Sequence, residues 1–287
     1  EKSYSHPITT NNCYYGCSNC NLDDVPAEWG GYGFNEQTTG IYVFEIPNDD
    51  YTLQITNNEN LIFAGGYVNW GDGTPVTQLK DGVYHHTYKK AGRYEVKAKC
   101  VPGGYTVPLT SGDTLVEVKQ LPTNAHNFNS CFSGAKNLQK VTARNLVFSN
   151  NGIKSMFYNC SSLKEIVGIE TWDVSEVSDL GSLFGNCSAL EYANVKDWDT
   201  GNCSNVFNLF FNCKNLKDLD VSQWNTKNAI KMQTMFSGCE SLTSLDLEKW
   251  TTPKITFMNS MFSGCTKLEE IININNITTD KVTLMNR

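Results

Sequence analysis

The chain has 287 residues, of which 40% are hydrophobic and 18% charged, and its 23 basic and 30 acidic side chains leave a net charge of −7. That is the composition of a soluble globular protein with room for one large domain or two of ordinary size. It excludes two classes: the longest apolar stretch, residues 61–68, contains two glycines and is strand-sized rather than membrane-spanning, and no cluster of Lys and Arg offers the phosphate contacts a nucleic-acid partner needs.

The charge is unevenly divided. Residues 1–120 carry 8 basic against 14 acidic groups, a balance of −6, whereas residues 121–287 carry 15 against 16, a balance of −1. This predicts a boundary near residue 120. The first residue is Glu1, the start expected of a mature secreted protein or of a trimmed chain.

Residues 1–37 are polar, lack periodicity and hold "CYYGCSNC", so an irregular, cross-linked arm is expected. From Gly40 the pattern becomes strand-like: "IYVFEI", "YTLQIT", "LIFAGGYVNW" and "RYEVKAKC" are separated by turn signals at Pro47-Asn48-Asp49, Gly71-Asp72-Gly73 and Ala91-Gly92. Short strands with closely spaced turns predict an all-β sandwich. Within it, Trp70-Gly71-Asp72-Gly73, His86-Thr87-Tyr88 and Ala91-Gly92-Arg93-Tyr94-Glu95-Val96 resemble the polycystic-kidney-disease (PKD) domain. The resemblance covers residues 38–120 and implies an immunoglobulin-like sandwich of an extracellular protein. Asp72 and Gly73 suit a tight turn, and Trp70 and Tyr94 supply core aromatics.

From Leu121 the sequence is periodic. Phe recurs at 132, 157, 184, 210, 236 and 262; three residues later stand Ala135, Cys160, Cys187, Cys213, Cys239 and Cys265; three further on come Leu138, Leu163, Leu190, Leu216, Leu242 and Leu268. Trp172, Trp198, Trp224 and Trp250 follow at intervals of 26. A period of this length marks a solenoid of the leucine-rich class. Leu216-x-x-Leu219-x-Val221 predicts a short strand, and Met232-x-x-Met235-Phe236 has the spacing of a short helix or 3₁₀ turn. The repeat resembles the BspA-like leucine-rich repeats of bacterial surface proteins and lipoproteins. In the first copy Ala135 replaces cysteine, with Cys131 just before the Phe. In the last, Ile277 replaces Trp. The fold class is therefore mainly β: an immunoglobulin-like sandwich over 38–120, then a solenoid of five to six coils over 121–287.

Every chemical group in the repeat is copied, and a reaction needs its groups once, so the ladder of Phe157, Phe184, Phe210, Phe236 and Phe262, of Cys160, Cys187, Cys213, Cys239 and Cys265, and of Trp172, Trp198, Trp224 and Trp250 is expected to be core. Coils about 4.8 Å apart hold parallel Cβ atoms beyond the roughly 3.5–4.5 Å of a disulfide, which predicts reduced thiols. Cys203 occupies the place of Val177, Ala229 and Ile255 and is also expected inside. Cys13, Cys17, Cys20 and Cys100 are disulfide candidates, with zinc as an alternative. "CYYGCSNC" also has the cluster-binding spacing of radical-SAM enzymes, but the chain has none of the βα units such a barrel requires.

His85 and His86 adjoin on a strand and point apart, against a shared metal. Asp220, Asp246 and Glu248 recur with the repeat as solvated surface. Asn159, Asn186, Asn202 and Asn276 begin N-glycosylation patterns, three of them as by-products of the repeat. No catalytic, cofactor or metal motif appears. The two resemblances imply a non-catalytic binding or adhesion protein, extracellular or at the cell surface, whose partner is a protein or glycan. The alternative is a structural subunit of an extracellular filament, appendage or phage tail, associating with copies of itself head-to-tail through an uncapped solenoid end.

Overall fold

The computed structural model of the chain describes residue 34 and residues 38–57, 66–78, 82–99, 113–150 and 152–283. The N-terminal part is antiparallel. Strand β1 (Thr39–Ile46) pairs with β6 (Gly92–Lys99) from Thr39 opposite Lys99 to Ile46 opposite Gly92, and on its other edge with β7 (Leu115–Gln120). β1 is thus central, and Tyr42, Val43 and Phe44 are buried consecutively rather than alternately. β3 (Tyr67–Asn69) and β4 (Thr77–Gln78) extend the far side of β6, while β2 (Tyr51–Asn57) and β5 (Gly82–Tyr88) make a separate ladder. Leu53, Val68, Trp70, Tyr88 and Val96 are buried members of one hydrophobic cluster.

The expected boundary at residue 120 falls at the end of β7, and that strand belongs to both halves. It is antiparallel to β1 and parallel to β8 (Lys140–Thr142), which in turn is parallel to β9 (Glu165–Val167). One sheet therefore runs from the N-terminal strands into the repeat, and one continuous core follows it, with Tyr42 against Phe132 at 6.3 Å.

Each coil continues the pattern: β10 (Tyr192–Ala193) lies parallel to β11 (Asp218–Leu219), and β12 (Ser244–Asp246) to β13 (Glu270–Ile272). A second parallel ladder, outside the named strands, joins Asp179, Asn205, Lys231 and Phe257 in successive coils. The result is a leucine-rich-repeat-like solenoid of short parallel strands and 3₁₀-type turns.

Of the short helix or 3₁₀ turn expected at Met232-x-x-Met235-Phe236, the 3₁₀-type turn is formed and the α-helix is not. Every second N–H there reaches the next coil: Met232, Thr234, Phe236 and Gly238 donate to the carbonyls of Phe257, Asn259, Met261 and Ser263, whereas Met235, Ser237 and Cys239 donate three residues back. The backbone is shared between coils and has no i→i−4 ladder to build a helix. Two residues per coil take the left-handed conformation that makes these turns possible. One series is Ser130, Ser155, Ser182, Asn208, Thr234 and Ser260; the other is Gly134, Asn159, Asn186, Asn212, Gly238 and Gly264. The second series contains only Gly and Asn, the residues that tolerate this geometry best. True 3₁₀ turns occur at Ile169–Thr171 and Ile274–Asn276.

Candidate ligand-binding face

The repeated side chains form columns inside the coils. Phe157, Phe184, Phe210 and Phe236 are fully buried and stack ring on ring with Phe132 and the partly buried Phe262, at centroid spacings of 5.4–6.0 Å. Trp172, Trp198, Trp224 and Trp250 form a second buried column, and each indole N–H donates to a carbonyl of the preceding coil: Ala143, Ile169, Val195 and Val221, at 2.7–3.0 Å. Ile277 packs against the last coil in place of an indole, and the neighbouring Asn276 amide donates to the Leu247 and Glu248 carbonyls. Two residues thus divide the job of one tryptophan.

The thiols have an equivalent role. Cys160, Cys187, Cys213, Cys239 and Cys265 are free, and their Sγ–H groups point at the Phe132, Phe157, Phe184, Phe210 and Phe236 carbonyls at 3.0–3.2 Å. Burial pushes the Cys160 thiol up to about 12, and the same cause raises Cys187, Cys213, Cys239 and Cys265. A thiol kept protonated in this way is a poor nucleophile and a poor metal ligand. Cys203 is buried too, and burial raises it to about 11. Cys13, Cys17, Cys20 and Cys100 lie outside the described residues.

In the N-terminal part the motif residues converge. His86 stacks on Trp70 at 4.4 Å, its Nε2 is 2.7 Å from Asp72 Oδ2, and the Tyr88 hydroxyl donates to the Trp70 carbonyl. Burial works to raise the Asp72 carboxyl, but hydrogen bonds from Thr74 and His86 outweigh it and hold the group below its ordinary range. Gly71 has φ +77°, and a Cβ there would collide with the Glu95 carbonyl oxygen. This cluster fixes a turn, and His85 on the same strand is exposed. Among the described residues no group of three metal-ligating side chains exists, and no helix is long and apolar enough to cross a membrane.

Among the described residues Val147, Tyr192, Phe207, Ile230, Ile272 and Ile274 are large apolar side chains that stand outward, Tyr192 most of all. Tyr192 is 50% exposed and forms a rib between two grooves on the strand face. One, of about 230 Å³, lies against Glu165–Glu170 of the preceding coil. The other, of about 520 Å³, is lined by Asn194, Lys217, Asp218, Asp220, Thr243 and Ser244. The rims are neutralised in pairs: Lys140–Glu165 at 2.9 Å, Lys196–Asp220 at 2.8 Å and Lys217–Glu191 at 3.1 Å. Asp246 accepts from Asn273, and Glu248 from Gln223. This face leaves no mark in the residues that repeat. The available signal was an exception: in the outward position held by Lys140, Glu165, Asp218, Ser244 and Glu270, one copy carries an aromatic.

Residues 126–244 and 178–287 match a family described as "Mycoplasma protein of unknown function, DUF285". The chain belongs to the DUF285 family. The two matched spans overlap, so the family's sequence runs continuously over the coils from residue 126 onward. Among solved structures, this DUF285 chain is similar to the Treponema pallidum leucine-rich-repeat protein (TpLRR), with 16% identity and a TM-score of 0.32 over 57% of this chain and 77% of that chain. No curated protein matches.

Proposed function

We propose that this DUF285 protein is a non-catalytic binding or adhesion protein that works outside the cell or on its surface, and that its ligand docks on the strand face of the solenoid. The observation that carries the reading is the contrast between the two sides of the coil wall. Inside, the four indoles and the thiols of Cys160, Cys187, Cys213 and Cys239 are buried, Cys265 is partly buried, and all are hydrogen-bonded to backbone. Outside, a half-exposed tyrosine stands between two grooves. Stacked coils offer an extended, rigid surface of the kind that repeat proteins use for recognition. The extracellular setting rests on the PKD-like motif, whose Trp70, Asp72, His86 and Tyr88 pack as one cluster. The division into an arm, a PKD-like sandwich over 38–120 and a solenoid over 121–287 belongs to this proposal.

The filament reading draws less support. Head-to-tail association through solenoid ends needs a free edge on the first coil, and the edge of β8 is occupied by β7 of the same chain.

Two measurements test the proposal together. Antibody labelling of intact producing cells should reach the protein, and the purified chain should bind host cells or extracellular-matrix preparations in a way that Tyr192→Ala with Asn194→Ala weakens. Protein found only inside the cell, or binding indifferent to the double variant, would count against it.

A further inference from the structure

Many polar side chains of the coils bond to a neighbouring coil or to their own turn. Asn186 donates to Asn159 and Asn212 to Asn186, forming an amide ladder. Asp173, Asp179, Asp199 and Asp220 each accept a backbone N–H two residues on. The larger groove gathers several that do not. Among the described residues, the Tyr192 hydroxyl, the Asn194 amide, the Asp218 carboxylate and the Thr243 and Ser244 hydroxyls have no hydrogen-bond partner in the protein, and all five line that groove. Donors and acceptors left over in one concave place, beside an exposed ring, constitute a recognition surface.

The chemistry narrows the occupant. With Lys196 and Lys217 paired to Asp220 and Glu191, the groove presents one carboxylate without a counter-ion, Asp218. That is too little charge to select a polycation, and it opposes a polyanion. A neutral, polyhydroxylated ligand fits: a sugar ring lays its C–H face on an aromatic side chain while its hydroxyls donate to a carboxylate and accept from an amide. The groove's 520 Å³ falls within the roughly 300–1,000 Å³ of small-ligand sites.

We propose that the groove beside Tyr192 is a subsite for a neutral glycan, with the ring as platform and Asn194 and Asp218 as the hydroxyl-reading pair. The proposal rests on the binding function above and names its ligand class. The test is calorimetric titration of the whole chain with neutral hexasaccharides of glucose, mannose, galactose and N-acetylglucosamine. One of these should bind saturably. Tyr192→Ala and Asp218→Ala should each weaken it by about tenfold or more, Tyr192→Phe should keep most of the affinity, and thermal midpoints should stay unchanged because the side chains are exposed. The proposal is overturned if none of the four sugars binds, if both alanine variants bind like the parent, or if charged peptides occupy the face instead. Cell binding that depends on Tyr192 without any sugar binding would overturn the glycan assignment and leave the adhesion reading intact.

Discussion

A tryptophan in these coils combines two tasks that are separable by substitution. Trp224 fills a buried column and its indole N–H satisfies the Val195 carbonyl at 2.7 Å. Trp224→Ala should cost about 3–5 kcal/mol, and Trp224→Phe about 1–3 kcal/mol, because the ring volume is largely kept while a buried carbonyl loses its donor. Urea denaturation of the two variants checks the order. The thiol column makes a pH prediction. The Cys160 thiol ionises near its ordinary 9.0 when unfolded and not until about 12 when folded. Its folded pKa is raised, so its contribution is fully present below pH 9 and is lost as pH rises through that window. Urea midpoints should decline on the alkaline side, less steeply in Cys160→Ala, and thiol reagents should label Cys160, Cys187, Cys213 and Cys239 only after denaturant is added. An equal decline in parent and variant would contradict this. These inward residues were legible from spacing alone because burial repeats with the coil. Their hydrogen-bond partners were not, since each lies on backbone 28 to 30 residues earlier and carbonyl positions leave no trace in a string of side chains.

At the scale of one coil, the position before each cysteine explains why the turn segment is not a helix. Asn159, Asn186 and Asn212 hold φ values of 64°, 63° and 55°, and Gly134, Gly238 and Gly264 occupy the same place in other copies. The glycosylation-like patterns at Asn159 and Asn186 are consequences of that geometry, and the Asn186, Asn202 and Asn276 side-chain nitrogens donate inside the protein. Asn186→Gly should therefore cost only its ladder bonds, about 1 kcal/mol. Asn186→Ala should cost ~1–2 kcal/mol more than Asn186→Gly, because alanine keeps a Cβ in the left-handed region without the local hydrogen bonds that let asparagine sit there. Equal destabilisation of the two variants in denaturant titrations would refute this view. The three-and-four spacing of Met232, Met235 and Phe236 left a helix and a 3₁₀ turn both open, because a run of 3-residue turns buries the same positions. Only the inter-coil donation of alternate N–H groups distinguishes the two.

Across the whole molecule, β7 makes the N-terminal strands and the solenoid one sheet over one core. A fragment beginning at residue 121 would expose the edge of β8 that Glu117 and Val118 occupy, so it should unfold at lower denaturant than the intact chain or associate through that edge. Solution scattering and denaturation of the fragment beside the parent would show it. The change of charge and pattern near residue 120 was visible in the sequence; the strand that bridges it was not, because parallel pairing has no local signal. The binding face was equally hidden, since a groove is a property of stacked coils and of a single departure at Tyr192. All of this depends on the coils being stacked with their indoles inside. Hydrogen exchange of the four indole N–H groups, followed by nuclear magnetic resonance, tests it most directly. Trp172, Trp198, Trp224 and Trp250, each bonded to the coil before it, should exchange only with global unfolding, whereas indole protons lost to solvent within seconds would contradict the stack.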